Sequence, residues 1–508
     1  MKEKQEKKFK WGFIIWIAIF VFALVRKTLQ NDTFYTIKVG ESILKNGIDM
    51  LDHFSWHEGL AYTYPHWLYD IFIYLIYKTF GFAGLYGSTI ILLFILLVLV
   101  FKINYKNTNS YIISAFATFL CGLSISGFAT ARAQMVSFIL FALELLFIEN
   151  FLRNGKKSNL IGLIIISILI CNIHPAVWPF YFILYLPYLV EYIISAICEK
   201  IKVKKKNKFI KFLSSKFILE KNKNIKYLFL TMILCIFTGL LTPIGDTPYT
   251  YMIKTMQGNS QSYIMEHQMM TWKSSPFTII IAFETIILAL LSKTKLRDLF
   301  MILGISFMSI ISVRHISLLA LIGTICFARI FLAFLNEFGF NLDKTFMKLF
   351  SKKIIVILSY LIVIIFAIFM FKYWSKQEYI DKKLYPTEAV KYIKKNLDIK
   401  KIKLYNEYNF GSYLLLNDIP VFIDSRCDLY TKQFSGLDYD MFDDFEFMAN
   451  NYMEKFEFYG ITHVLIYKNN GLYNQLKTDK NYRMLYEDEY FILYEKTGKG
   501  NNFVITFG

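Results

Sequence analysis

The sequence predicts a polytopic α-helical membrane protein of about eleven transmembrane helices, followed by a small α/β soluble domain at the C-terminus. Three observations predict it. Apolar runs such as Ile90–Phe101, Leu160–Ile170 and Ile354–Phe371 approach, with their flanks, the roughly 20 residues that cross a bilayer core. The 508 residues are 55% hydrophobic and 19% charged, with mean hydropathy +0.40, which is more apolar surface than a soluble chain of this length buries. The net charge of +18 is uneven: from Ser375 to Gly508 there are 18 Lys+Arg against 20 Asp+Glu, so the basic excess lies on the membrane part.

The candidate spans are 11–29, 83–103, 110–128, 133–152, 159–175, 176–196, 226–243, 277–293, 297–313, 315–335 and 353–373. The first joins a basic stretch, Met1–Lys10, to an apolar run, Trp11–Val25, as a signal peptide does. No small-residue cleavage site follows, and Arg26-Lys27 is a poor one, so it reads as an uncleaved helix. With the N-terminus cytoplasmic, the inner loops are Lys102–Asn109, Arg153–Ser158, Glu199–Lys226, Ser292–Arg297 and Asn336–Lys353. All are basic, and the longest carries eleven Lys between Lys200 and Lys226. The outer connections Gln30–Phe82, Ala129–Arg132, Ile173–Ala176 and Thr242–Pro276 carry far less Lys, which is the positive-inside pattern. His66–Phe80 is apolar enough to tempt a twelfth span, but it is short and holds Asp70 and Lys78. Counting it would invert every later loop, so it reads as an interfacial or re-entrant helix. The expected division is a transmembrane domain over 1–374, with a long first outer loop at 30–82, and an extracytoplasmic α/β domain over 375–508.

In the tail, Thr387–Lys395 reads as a helix, Ile402–Tyr405 as a strand and Val421–Ile423 as a short buried strand. Phe445–Tyr459 reads as helical, His463–Tyr467 as a strand and Met484–Tyr494 as a hairpin around Glu487-Asp488-Glu489. The alternation suggests a small, mostly parallel sheet with an antiparallel edge. Basic charge confined to short loops argues against a nucleic-acid partner and for the bilayer. Five of six Cys lie in or beside apolar segments and no CxxC occurs, so neither a zinc site nor a disulfide framework is indicated.

The first outer loop is where chemistry gathers. Three of the seven His (His53, His57 and His66) and four Asp fall between Asp32 and Asp70, among Trp and Tyr. A structureless connector seldom runs past fifty residues, so the loop reads as functional; the alternative is a headgroup-level shelf of aromatics. Asp32, just past the first span, suits a general base facing outward, and suits equally an N-cap for a helix through Ile37–Leu44. The three His follow no recognised metal-ligand spacing, so no metal ligand is assigned and a divalent cation stays open as a cofactor. Arg132, Arg314 and His315 stand at outer ends of spans, against the charge bias, where an anionic ligand such as a lipid phosphate or snorkelling to headgroups would place them. His174-Pro175 and Thr242-Pro243 interrupt spans near the same face, and Glu266-His267 lies in the second long outer loop. Asp424-Ser425-Arg426 reads as a strand-end turn with a local ion pair.

These residues resemble the GT-C superfamily of membrane glycosyltransferases, which typically carry a catalytic Asp just past helix one. Within it, the chain resembles a bacterial group whose first loop is matched by Gly40-Glu41-Ser42-Ile43-Leu44, Asn46-Gly47-Ile48, Asp52-His53-Phe54-Ser55 and Trp67-Leu68. Further matches are Arg132-Ala133-Gln134, Asn172-Ile173-His174-Pro175, Thr242-Pro243-Ile244-Gly245, Asn409-Phe410-Gly411-Ser412-Tyr413-Leu414, Val421-Phe422-Ile423-Asp424-Ser425-Arg426 and Tyr459-Gly460-Ile461-Thr462-His463-Val464-Leu465. Thr33-Phe34-Tyr35 departs from the group's second acid or aromatic pair, and Pro175 replaces its Gly. The resemblance implies an inverting transferase that moves a sugar from a polyprenyl-phosphate donor to a glycan, lipid or protein acceptor. Asp32 would be catalytic, and the donor would meet Arg132, Arg314, His315, His53, His57, His66, His174, Glu266 and His267. The alternative is a non-catalytic protein of the same fold that binds lipid-linked glycan or a partner enzyme of cell-envelope assembly. Lys-, Ile- and Asn-rich coding with few Pro suggests a bacterial plasma membrane.

Overall fold

A computed structural model describes residues 2–202, 212–213, 215–258, 264–344, 346 and 352–497. Parts of the loops Glu199–Lys226, Thr242–Pro276 and Asn336–Lys353 lie outside the described residues. Six helical stretches are long and apolar enough to cross a membrane: Trp67–Thr108, Tyr111–Phe128, Ala133–Asn154, Pro175–Lys200, Val313–Glu337 and Lys353–Ser375. Shorter apolar helices at Trp11–Leu24, Ser158–Ile173, Ile225–Leu240 and Pro276–Leu291, together with Leu296–Ile311, stand at the other expected spans. The chain is a multi-pass membrane protein. Two expectations shift. The first span ends at Leu24, not residue 29. The span expected at 176–196 is two helices, Trp178–Ile183 and Leu186–Lys202.

The chain divides into two compact units. The first comprises Met1–Lys27, Phe82–Tyr249 and Ile264–Gln377; the second comprises Thr28–Gly81, Thr250–Tyr263 and Glu378–Gly508.

In the first unit, the helix Ile316–Glu337 is buried from Ile316 through Ala328 and packs against Tyr111–Ile125, Pro276–Leu291 and Leu296–Ile311. Being apolar on every side, it belongs inside a bundle rather than on its surface. Buried charge ties neighbouring helices together. Arg297 donates to Glu191 at 3.0 Å and to Glu220 at 2.7 Å, and Arg329 pairs with Glu149 at 2.8 Å and Asp298 at 2.7 Å. Ionised groups persist among apolar helices only when paired in this way.

The second unit carries a four-stranded sheet in the order Leu404–Asn406, His463–Tyr467, Phe491–Lys496, Tyr482–Glu487. Only the first pairing is parallel; the other two are antiparallel, so the sheet is not the mostly parallel one expected. The chain makes one crossover, then closes with a hairpin whose turn is set by Asp488 Oδ1, which accepts from the Tyr490 and Phe491 amides at 2.8 Å. Val421–Ile423 is buried as expected, but it forms no strand of this sheet: Val421 bridges Ser55 of the long loop instead. The helix expected at 445–459 is two, Met441–Glu446 and Tyr452–Tyr459. His66–Phe80 is helical from Trp67, and Gly81 (φ 61°) ends it with a kink that only glycine takes without strain.

Candidate functional site

The helix expected through Ile37–Leu44 is present as Asn31–Asn46, and Asp32 lies in its first turn rather than at its N-cap. The N-cap is Gln30, which makes no side-chain capping bond, and an acid in the first turn complements the positive helix end. Its setting comes from the C-terminal segment. Leu29 N donates to Tyr379 O at 2.9 Å, the Tyr385 hydroxyl donates to Leu29 O at 3.0 Å, and Asn31 Nδ2 donates to Tyr408 O at 2.8 Å. Phe34 packs edge-on against Tyr385 and Tyr413, with ring centres 5.0 and 5.4 Å away. At Gly40 the helix passes so close to the Asp70 carbonyl that an added Cβ would lie 2.0 Å from its oxygen. Asp32 is thus fixed on both sides along the chain by tail residues.

The other loop candidates divide. His53 is half exposed and pairs with Asp49 at 2.5 Å. His57 is folded inward: its Nε2 bonds the Phe422 carbonyl at 2.9 Å, and its ring lies near Trp56 and Phe422. Burial lowers its pKa to about 4. His66 Nδ1 lies 3.4 Å from the Tyr35 hydroxyl. Asp52 and Asp424 flank Arg426, at 2.6 and 2.7 Å. The ion pair expected within Asp424-Ser425-Arg426 therefore has a third member in the long loop. Burial would raise the Asp52 carboxyl, and the Arg426 guanidinium outweighs it, holding Asp52 below its ordinary range.

In the first unit, several predicted residues come together. Arg132 Nη1 lies 3.4 Å from Glu266 Oε1, and Arg314 Nη1 lies 3.3 Å from His267 Nε2. Backbone bonds hold the 265–270 segment against the end of the Leu296–Ile311 helix: Met270 N to Ile310 O, 3.0 Å, and Val313 N to Gln268 O, 2.9 Å. Desolvation pushes the Glu266 carboxyl up, but Arg132 and Arg314 prevail and keep it below its ordinary range. The His315 ring lies tilted against Phe180, 4.8 Å between centres, and lines an apolar crevice with Phe141, Ile305, Met308 and Leu318. His174 bonds Ser137 Oγ at 2.9 Å. Arg132 and Arg314 thus meet the 265–267 turn, and His315, next to Arg314 in sequence, lines the apolar crevice.

Sequence reasoning missed the Asp52–Arg426 pair, because nothing local links residues so far apart. It also missed the Arg297 and Arg329 network, whose signal was available as ionisable residues inside expected spans. Among the described residues, no group of three or more His, Cys, Asp or Glu side chains gathers where a metal ion could be held.

The helical bundle of the first unit and the loop and tail segments of the second make up a GT-C fold. Among solved structures, the chain is similar to the archaeal oligosaccharyltransferase AglB from Archaeoglobus fulgidus in complex with an inhibitory peptide and a dolichol-phosphate. The likeness has TM-score 0.55 and 10% identity, over 91% of this chain and 70% of that one. It is similar as well to the Archaeoglobus fulgidus oligosaccharyltransferase tethered by a disulfide to an acceptor peptide containing the NVT sequon. There the TM-score is 0.55 at 10% identity, over 90% of this chain and 68% of that one. No known family profile matches the chain, and no curated protein matches its sequence.

Proposed function

We propose that the chain is an inverting membrane glycosyltransferase that moves a sugar from a polyprenyl-phosphate carrier to an acceptor hydroxyl on the outer face of a bacterial plasma membrane. The observation that carries the reading is the setting of Asp32, a loop acid just past the first span, pinned by three hydrogen bonds from its neighbours to the tail. The GT-C fold supports it, as do neighbours solved with a dolichol-phosphate or an acceptor peptide. In this mechanism the Asp32 carboxylate takes the acceptor's proton as the acceptor oxygen attacks the anomeric carbon. The bond from that carbon to the phosphate oxygen breaks, and polyprenyl phosphate leaves with the electron pair. Arg132 and Arg314 would steady the phosphate, with His315 beside the start of the lipid chain.

The test is transfer of labelled sugar from a panel of polyprenyl-phosphate donors by wild type and Asp32→Asn in the same membranes. Turnover lost in the variant, with donor binding kept, supports the assignment. Equal turnover in both removes Asp32 as the base. No turnover in either, with folded protein and donor binding intact, favours a non-catalytic lipid-glycan-binding role.

A further inference from the structure

A face of the second unit is unlike the rest of the chain. From Asp438 to Phe458 there are seven Asp or Glu and a single Lys, within a protein of net charge +18. The segment folds into the helices Met441–Glu446 and Tyr452–Tyr459, which are tied together by the Tyr459 hydroxyl donating to Asp444 Oδ2 at 2.6 Å. Its Lys455 is neutralised by Asp444 at 3.2 Å, and Glu457 is taken by Lys496 at 2.6 Å. Asp438, Glu446 and Glu454 are exposed and form no ion pair among the described residues.

Between these free carboxylates lie large apolar groups in water. Phe458 is 66% exposed and meets the ring of Tyr439, itself 38% exposed, edge-on at 5.5 Å. Glu454 precedes Phe458 by four residues in one helix, so the two side chains share a face. Met453 and Phe447 are exposed nearby in sequence, at 66% and 49%. Contiguous apolar surface on a soluble unit marks an interaction site, and aromatic residues and Met are the types enriched there. The carboxylates specify the partner's charge, because each needs a cation to be brought into an interface without loss.

We propose that the Tyr439–Phe458 face docks a basic amphipathic segment of a partner polypeptide, with its apolar side chains on the two rings and its Lys or Arg on Asp438, Glu446 and Glu454. Nothing in this depends on whether the chain transfers sugar.

The experiment uses the full chain in phosphatidylcholine nanodiscs, which offer no anionic lipid to compete. A short labelled peptide alternating Lys or Arg with Trp and Leu is titrated, beside an isomeric peptide with Glu for the basic residues and an uncharged oligosaccharide. The basic peptide should bind, and binding should weaken as salt rises. Tyr439→Ala with Phe458→Ala should weaken it about tenfold or more, as loss of aromatic anchors does. Glu454→Lys, on an exposed position that leaves packing unchanged, should weaken it about fivefold, with an unchanged unfolding midpoint as the control for folding. Equal binding to wild type and both variants overturns the proposal. So does preference for the acidic peptide, or salt-independent binding of the oligosaccharide alone, which would make the face a glycan platform.

Discussion

Replacing Arg426 by alanine removes the one cation between two buried carboxylates. The guanidinium donates from Nη1 to Asp52 at 2.6 Å, and from Nε and Nη2 to Asp424 at 2.9 and 2.7 Å. It also lies over the rings of Phe54 and Tyr62, at 5.1 and 5.0 Å. Side-chain exposure is 2% for Arg426 and 0% for both acids, so water cannot replace what is lost. A charge pair near 4 Å is worth about 4 kcal/mol at an effective dielectric of 20, and removing one partner of a buried pair costs about 3–5 kcal/mol. Arg426→Ala should therefore destabilise the second unit by about 3–5 kcal/mol. Asp52→Asn, which leaves the bidentate Asp424 pair in place, should cost about 1–3 kcal/mol. The assay is denaturant unfolding in detergent read by Trp fluorescence, since Trp56 Nε1 donates to Leu404 O at 2.9 Å inside this unit. In parallel, limited proteolysis should reveal the 49–64 segment opening in Arg426→Ala. A loss below about 1 kcal/mol for Arg426→Ala, or a larger loss for Asp52→Asn than for Arg426→Ala, would refute the reasoning.

Gly411→Ala should cost at least about 1–3 kcal/mol, because the new Cβ would lie 2.1 Å from the Ile423 carbonyl oxygen and 2.8 Å from Asp424 Cα, and backbone cannot step aside; equal unfolding midpoints would count against it. Glu407 accepts from Tyr467 N at 2.7 Å, and burial raises its pKa from 4.5 to about 7. The folded state thus holds this proton after the unfolded chain has released it, so the stability it contributes is full below pH 4.5 and lost as pH rises through about 7. Relative to Glu407→Gln, wild type should lose about 3 kcal/mol across that window, and parallel pH profiles would exclude it. Arg132→Ala and Arg314→Ala should each raise the donor KM about tenfold or more, the scale of a lost charged hydrogen bond, with a smaller effect on kcat. An unchanged donor KM would remove the arginines from the phosphate.

Span positions were legible because an apolar run of about 20 residues in a basic-loop frame has few other readings. The helix Ala133–Asn154 covers the expected 133–152 almost residue for residue. The strand His463–Tyr467 was legible too, being short, β-branched and buried on both faces. What stayed hidden was long-range partnership. Val421 looks like a sheet strand by composition, yet its partner is Ser55. The imidazoles of His53 and His57 are four residues apart and read alike, but one is half exposed on Asp49 and the other is buried on Phe422. The sheet's parallel character was overestimated because alternating helices and strands suggest crossovers, while the final hairpin adds two antiparallel pairings.

The interleaving of the second unit sets a timetable for synthesis. Asp52 and Arg426 are 374 residues apart. At about 5–20 residues per second, roughly 20–75 s pass between their emergence from the ribosome. Until Tyr379 and the residues after it are made, the loop from Thr28 lacks the tail residues that hold it, and Asp52 waits further, for Arg426. The unit closes only after the helix Lys353–Ser375 has been made. A chain that stops between Ser375 and Tyr379 would carry the helix Lys353–Ser375 and none of the tail bonds that flank Asp32.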